Sequence, residues 1–215
     1  MIDAVVFDLD GVIVDSEQVW DEVRVELVHE AGLPFPPEAT RAMMGMSSPE
    51  WSRYLVDEVG LPGTPKQANA AVVARMRERY AAGPPFIPGA LEAVHRIGAR
   101  WPLAIASSSN RELIDLVLEA GELESLVRVA VSSEEVGRGK PAPDVYLEAT
   151  RRLGIDAQRA AAVEDSHNGI RSAKAAGLRV VAIPNLHFPP DAESLALADV
   201  VLASIDELTV SVVAR

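Results

Sequence analysis

The sequence predicts a doubly wound α/β fold, a parallel sheet with helices on both faces, carrying an all-helical insert after its first strand. Two patterns predict it. From Pro88 onward, short apolar runs alternate with amphipathic stretches at helical spacing, the signature of right-handed crossovers between parallel strands. Between Ser16 and Ala82 no strand pattern occurs.

Val5-Val6-Phe7 begins the chain's organising stretch, a β-branched and aromatic run that reads as a buried parallel strand and ends in Asp8-Leu9-Asp10-Gly11. Gly11 takes the chain out of the sheet. Val19, Val23, Leu27 and Ala31 then recur at helical spacing, with Ser16 as N-cap and Gly32 as stop. Pro34, Pro36 and Pro37 break the chain before helical patterns around 49–59 and over 65–80, and Gly83-Pro84-Pro85 closes the block. The expected division is a core of 1–15 and 83–215 and an inserted helical domain of 16–82, with hinges near 14–16 and 82–88. In the core, helices over 89–100, 111–120, 142–153 and 168–176 alternate with strands over 103–106, 127–131, 160–163 and 179–183. A last strand at 199–202 precedes a helix near 205–212.

The chain has 215 residues, long enough for one sizeable core and a smaller appended domain. Its 20 basic and 32 acidic residues give a net charge of −12, which argues against nucleic acid or an anionic membrane as partner. A phosphorylated ligand therefore needs a local cation. Cysteine is absent, which excludes disulfides, thiolate zinc sites and a cysteine nucleophile. The N-terminus has no basic n-region, and no apolar run reaches membrane-spanning length, so a cytoplasmic location is expected.

Ligands of doubly wound sheets bind beyond the carboxyl ends of the strands, so the residues there carry the functional reading. The first strand ends at Asp8 and Asp10; 103–106 runs into Ser107-Ser108-Ser109-Asn110, which offers hydroxyls and helix N-terminal amides to an anion. Lys140 lies between stiffening prolines in Gly139-Lys140-Pro141-Ala142-Pro143, and 160–163 runs into Glu164-Asp165-Ser166. Each cluster alone also fits a turn, an N-cap or a solvated charge. Together, on one edge of one sheet, they form a coherent site for phosphate chemistry. Asp8 and Asp165 offer the hard oxygen ligands that suit Mg²⁺.

These four motifs, in this order and spacing, resemble those of the haloacid dehalogenase superfamily, and the helical insert resembles its cap. The similarity is to the branch of β-phosphoglucomutase-like and phosphoglycolate-phosphatase-like proteins. The resemblance implies that Asp8 is a nucleophile forming an aspartyl-phosphate, and that Asp10 protonates the leaving alcohol and then deprotonates water. It further implies that Ser107 and Lys140 hold the phosphoryl oxygens. Mg²⁺ would be bound by Asp8, the Asp10 backbone carbonyl and Asp165, with Glu164 beside it. Gly11, Ser108 and Asn110 are carried over as neighbours of the phosphate, and Trp20 and Gly45 as cap residues facing the substrate.

The cap departs from the sugar-phosphomutase pattern. Trp20 stands where that branch has a histidine, and Ser48 near where it has a phosphate-gripping arginine. Trp20 either stacks on a substrate ring or packs between cap and core. Arg53, Arg75 and Arg77 could supply a cation from elsewhere in the cap, and His167 and His187 are possible substrate contacts. The expected activity is hydrolysis of a small phosphorylated metabolite by a monomer or weak homodimer. A mutase is the runner-up, and the rivals from other classes are a non-catalytic phospho-ligand-binding protein and a receiver-like regulator.

Overall fold

The computed structural model describes residues 1–43, 46–186 and 188–214. Six parallel strands, β1 (Ala4–Phe7), β2 (Leu103–Ser107), β3 (Val127–Ser132), β4 (Ala160–Glu164), β5 (Arg179–Ala182) and β6 (Val200–Val201), lie in the order β3-β2-β1-β4-β5-β6. The chain steps outward from β1 to β3 and then returns to β1's other side as β4. A crevice opens at such a reversal, beyond the carboxyl ends of the adjacent strands.

The period of two along each strand sorts the core onto the two faces of the sheet. Val5, Phe7, Leu103, Ile105, Ala161, Val163 and Val181 belong to one apolar cluster, together with residues of α5 (Ala90–Gly98) and α6 (Arg111–Ala120). Ala4, Val6, Ala104, Ala106, Ala160, Ala162, Val180 and Ala182 belong to the other, with α7 (Asp144–Leu153) and α8 (His167–Ala175). Small side chains on this second face leave room for α7, whose Val145, Tyr146 and Ala149 are fully buried. Each large side chain sealed this way, such as Phe7, contributes about 1.5–3 kcal/mol over exposure.

Between β1 and α5 the described residues form four helices, α1 (Glu17–Glu30), α2 (Ala39–Met43), α3 (Ser48–Asp57) and α4 (Pro65–Tyr80). Capping boxes start α3 and α4: Ser47 pairs with Glu50 and Thr64 with Gln67, and a proline stands in each first turn. Ser16 occupies the N-cap position of α1, as expected, but makes no capping bond. The two connections into this helical block run side by side. Val14 bridges Phe86, Asp15 N–H donates to Pro85 (2.8 Å) and Ile87 N–H to Ile13 (2.9 Å).

The five-residue helix α2 and the four-residue α9 (Ala192–Leu195) were not expected from the sequence. The continuous helix expected near 205–212 is broken. Ser204 caps a 3₁₀ turn at Ile205–Glu207, and Thr209 accepts from Val212 N–H to begin α10 (Val210–Ala214). Among the described residues no helix is long and apolar enough to cross a membrane.

Candidate active site

Asp8 follows β1 directly and is still paired with the sheet, its N–H donating to Val163 (2.9 Å). The chain then turns tightly, with Gly11 N–H on Val14 and Ile13 N–H on Leu9, both at 2.8 Å. Gly11 has φ +77°, and a Cβ there would stand 1.9 Å from Asp165 Oδ2, so the turn lies directly against the carboxylate that follows β4.

Lys140 comes from the loop before α7, after which the peptide bond to Pro141 is cis. It is buried, with Nζ 2.9 Å from Asp8 Oδ1 and 2.7 Å from Glu164 Oε1. Glu164 closes β4, fully buried, and also accepts from Tyr146 Oη (2.6 Å), Asp165 N–H (3.1 Å) and Ser166 Oγ (3.3 Å). Lys140 thus bridges Glu164 and Asp8. Burial by itself would lower the Lys140 ammonium, but Asp8 and Glu164 outweigh it and hold it above its usual range.

Asp8, Glu164 and Asp165 each offer a carboxylate oxygen within 4.8 Å of the others. Asp165 accepts from Asn185 Nδ2 (3.2 Å) at Oδ2, while Oδ1 is buried without a partner. Burial, followed by Glu164, pushes both Asp8 and Asp165 well above the ordinary carboxylate range, with Lys140 opposing the rise at Asp8. An orphaned buried oxygen within a group of three acids is what a hard divalent cation satisfies, so the residues fit one.

Asp10 is held by a different set of partners. Its Oδ1 accepts from Ser16 Oγ (2.5 Å) and Trp20 Nε1 (3.3 Å), and its Oδ2 from Ser109 Oγ (2.7 Å) and Ser107 Oγ (3.2 Å). The hydroxyl missing from α1's cap is thus spent on Asp10. A cavity of about 60 Å³ is lined by Asp8, Asp10, Lys140 and Asp165 from the sheet edge and by Glu17, Trp20, Arg24, Met43, Met46 and Trp51 from the helical block.

Residues 5–183 match the sequence model of the haloacid dehalogenase-like hydrolases. The chain belongs to that family. Among its relatives, hexitol phosphatase B of Escherichia coli K12 is 30% identical over 96% of this chain and 94% of its own length. Validoxylamine A 7'-phosphate phosphatase of Streptomyces hygroscopicus subsp. limoneus is 30% identical over 97% of this chain and 96% of its own. The fold is similar to CbbY of Rhodobacter sphaeroides, solved as a variant in complex with xylulose-1,5-bisphosphate, at TM-score 0.87 and 26% identity over 99% of both chains.

Within this haloacid dehalogenase-like hydrolase, Asp8, Asp10, Lys140, Asp165, Ser108 and Trp20 of the sequence reading come together at the cavity, and so does His167. Glu164 sits behind Lys140, and Ser107 is sealed beneath Asp10 with its oxygen also accepting from Ser109 N–H (2.9 Å). Two expected substrate contacts are not among the residues that line this cavity. Gly11 lines a separate cleft with Phe86 and Ile183, and Asn110 joins Glu134 (2.7 Å), Asn69 (3.2 Å) and Ser48 (2.9 Å). Asn110 was read as a phosphate neighbour from its place in the serine run, but as the N-cap residue of α6 it points to the helical block. Gly45 and His187 lie outside the described residues.

Ser109 entered the sequence reading only as part of the hydroxyl run, and Glu17, Arg24 and Trp51 were missed as site residues. Glu17, Trp20 and Arg24 are three and four apart on α1, so one helix face presents all three, and that spacing was the available signal.

Proposed function

We propose that this chain is a Mg²⁺-dependent phosphomonoester hydrolase acting on a small phosphorylated metabolite. The observation that carries the proposal is the placement of Asp8 and Asp10 at one small cavity in different surroundings, one against Lys140, the other among hydroxyls and an indole. Such a division suits a nucleophile and an acid/base. The phosphatase relatives support the same reading.

In this mechanism an Asp8 oxygen attacks phosphorus, the ester P–O bond breaks and an aspartyl-phosphate forms. Asp10 gives a proton to the leaving alkoxide, then takes one from a water that attacks phosphorus, releasing inorganic phosphate and restoring Asp8. Lys140 holds positive charge beside the transferring group. Asp8, the Asp10 carbonyl and Asp165 would hold Mg²⁺, which when bound supplies charge that polarises the phosphoryl oxygens.

Four hydrogen bonds hold Asp10, so a proton on either oxygen requires a serine hydroxyl to turn into an acceptor or one donor to withdraw. Ser16 and Trp20 are the two that belong to the start of the helical block, beside the paired connections at 13–15 and 85–87. We therefore read residues 16–82 as a cap domain on a core of 1–15 and 83–215, whose hinging at these connections frees Asp10 for proton transfer. Ser48, occupied by Asn110, favours hydrolysis over the mutase alternative, because it leaves no phosphate-gripping group at that position.

The test is release of inorganic phosphate from an aryl phosphate with and without Mg²⁺. Asp8→Asn is expected to lower it on the order of a thousandfold or more. Undiminished release by that variant would overturn the nucleophile assignment, and conversion of a hexose 1-phosphate to its 6-phosphate without phosphate release would make the protein a mutase.

A further inference from the structure

We propose that Arg24 is the cap-side anchor for a second anionic group on the substrate, which restricts the preferred esters to small phosphates bearing a carboxylate or a second phosphate. This deepens the hydrolase reading and rests on it for the position of the scissile phosphate at Asp8.

Arg24 is only 7% exposed and lines the cavity. Its guanidinium carbon lies 5.0 Å from the Trp20 ring centre and 5.1 Å from that of Trp51, and the two indoles are 5.9 Å apart and tilted by 59°. Two aromatic faces fix the plane of the cation but accept none of its hydrogen bonds. Its Nε is buried without a partner, and among the described residues Arg24 forms no salt bridge. A buried, oriented donor left unpaired in a cavity wall calls for an acceptor, and an anion matches its planar fork.

Charge points the same way. Of the two strong cations lining the cavity, Lys140 is committed to Asp8 and Glu164, which leaves Arg24. Burial lowers its guanidinium to about 10, against Glu17, Asp21 and Asp10, so it is still a cation at neutral pH. Four acids, Asp8, Asp10, Glu17 and Asp165, line the same cavity, and among its described lining residues Arg24 is the strong cation not already paired with them, so it is the group toward which a second anion is drawn. Met43, Met46 and Trp51 offer no competing polar contact beyond one indole N–H, and about 60 Å³ suits a short tail.

The experiment compares kcat/KM for 2-phosphoglycolate, ethylene glycol bisphosphate and 2-hydroxyethyl phosphate in the full chain, in Arg24→Gln and in Arg24→Lys. The wild type is expected to prefer at least one anionic ester by about tenfold or more over the neutral one. Arg24→Gln should bring that ratio close to one, and Arg24→Lys, which keeps the charge but not the planar fork between the indoles, should keep only part of it. The acid and the bisphosphate arms tell a carboxylate from a second phosphate. A ratio unchanged in Arg24→Gln, or no preference in the wild type, overturns the proposal and leaves Arg24 as a clamp on the two tryptophans. Should no ester be hydrolysed, the hydrolase reading fails by itself, and calorimetric binding of the same three esters decides the anchor by the same ratios. Should Arg24→Gln not fold, inhibition of the wild type by glycolate against ethylene glycol decides: glycolate at least about tenfold tighter supports the anchor, and equal inhibition overturns it.

Discussion

Gly11 stands so close to Asp165 that a methyl group on it would fall 1.9 Å from the carboxylate Oδ2. The same backbone conformation occurs at Gly32, where φ is +75° and nothing lies within 4 Å of the added atom. Gly32→Ala should therefore cost only the left-handed strain, about 1–2 kcal/mol. Gly11→Ala adds displacement of Asp165 and should cost more by urea denaturation while also weakening Mg²⁺ binding. Equal losses in the two variants would show that Asp165 moves aside freely.

Lys140 is the counter-charge of two buried acids, Asp8 and Glu164. Lys140→Met strands both and should destabilise the fold by about 3–5 kcal/mol, beyond any loss of activity. Adding Glu164→Gln removes one stranded charge and should recover part of that loss. A Lys140→Met variant as stable as the wild type would mean that the buried acids do not need the ammonium.

Asp165 Oδ1 has no protein partner, and burial and Glu164 work against the charge on Asp8 and Asp165. A divalent cation relieves both, so Mg²⁺ should raise the thermal unfolding midpoint, by about 2.7 kcal/mol of stabilisation at a hundred times its dissociation constant. Asp165→Asn should lose most of this shift when compared at matched ionic strength. A shift of the same size in both proteins would place the cation elsewhere.

The sheet-edge half of the candidate site was legible because its residues follow strands. Asp8 and Asp165 come at the ends of apolar runs of recognisable length, and a doubly wound sheet gathers such ends at one edge. The cap half was not. A helical period shows that Glu17, Trp20 and Arg24 share a face, but not that α1 turns this face toward Asp10, since that depends on how the whole block sits over the sheet. The same limit hid the donors on Asp10: Ser16 looked like a cap, and only the tertiary arrangement gives its hydroxyl a carboxylate instead. Short helices escaped for a different reason. At five and four residues, α2 and α9 are too brief for a periodic pattern and owe their form to their surroundings.

Glu17 gives the fold a pH dependence of its own. Burial, followed by Asp10, raises its carboxyl from 4.5 to about 7, with Arg24 opposing the rise. Below about pH 4.5 the group is protonated folded and unfolded, and its contribution is constant. Between there and about pH 7 the unfolded chain releases the proton while the folded chain keeps it, so stability falls as pH rises; above that the penalty no longer grows. Glu17→Gln removes this slope without removing those of Asp8 and Asp165, so the comparison must be made between the two proteins. Urea midpoints measured at pH 5 and pH 8 should show the variant gaining on the wild type at the higher pH. A difference between the proteins that is the same at both pH values would mean that Glu17 ionises in the folded chain as easily as in water.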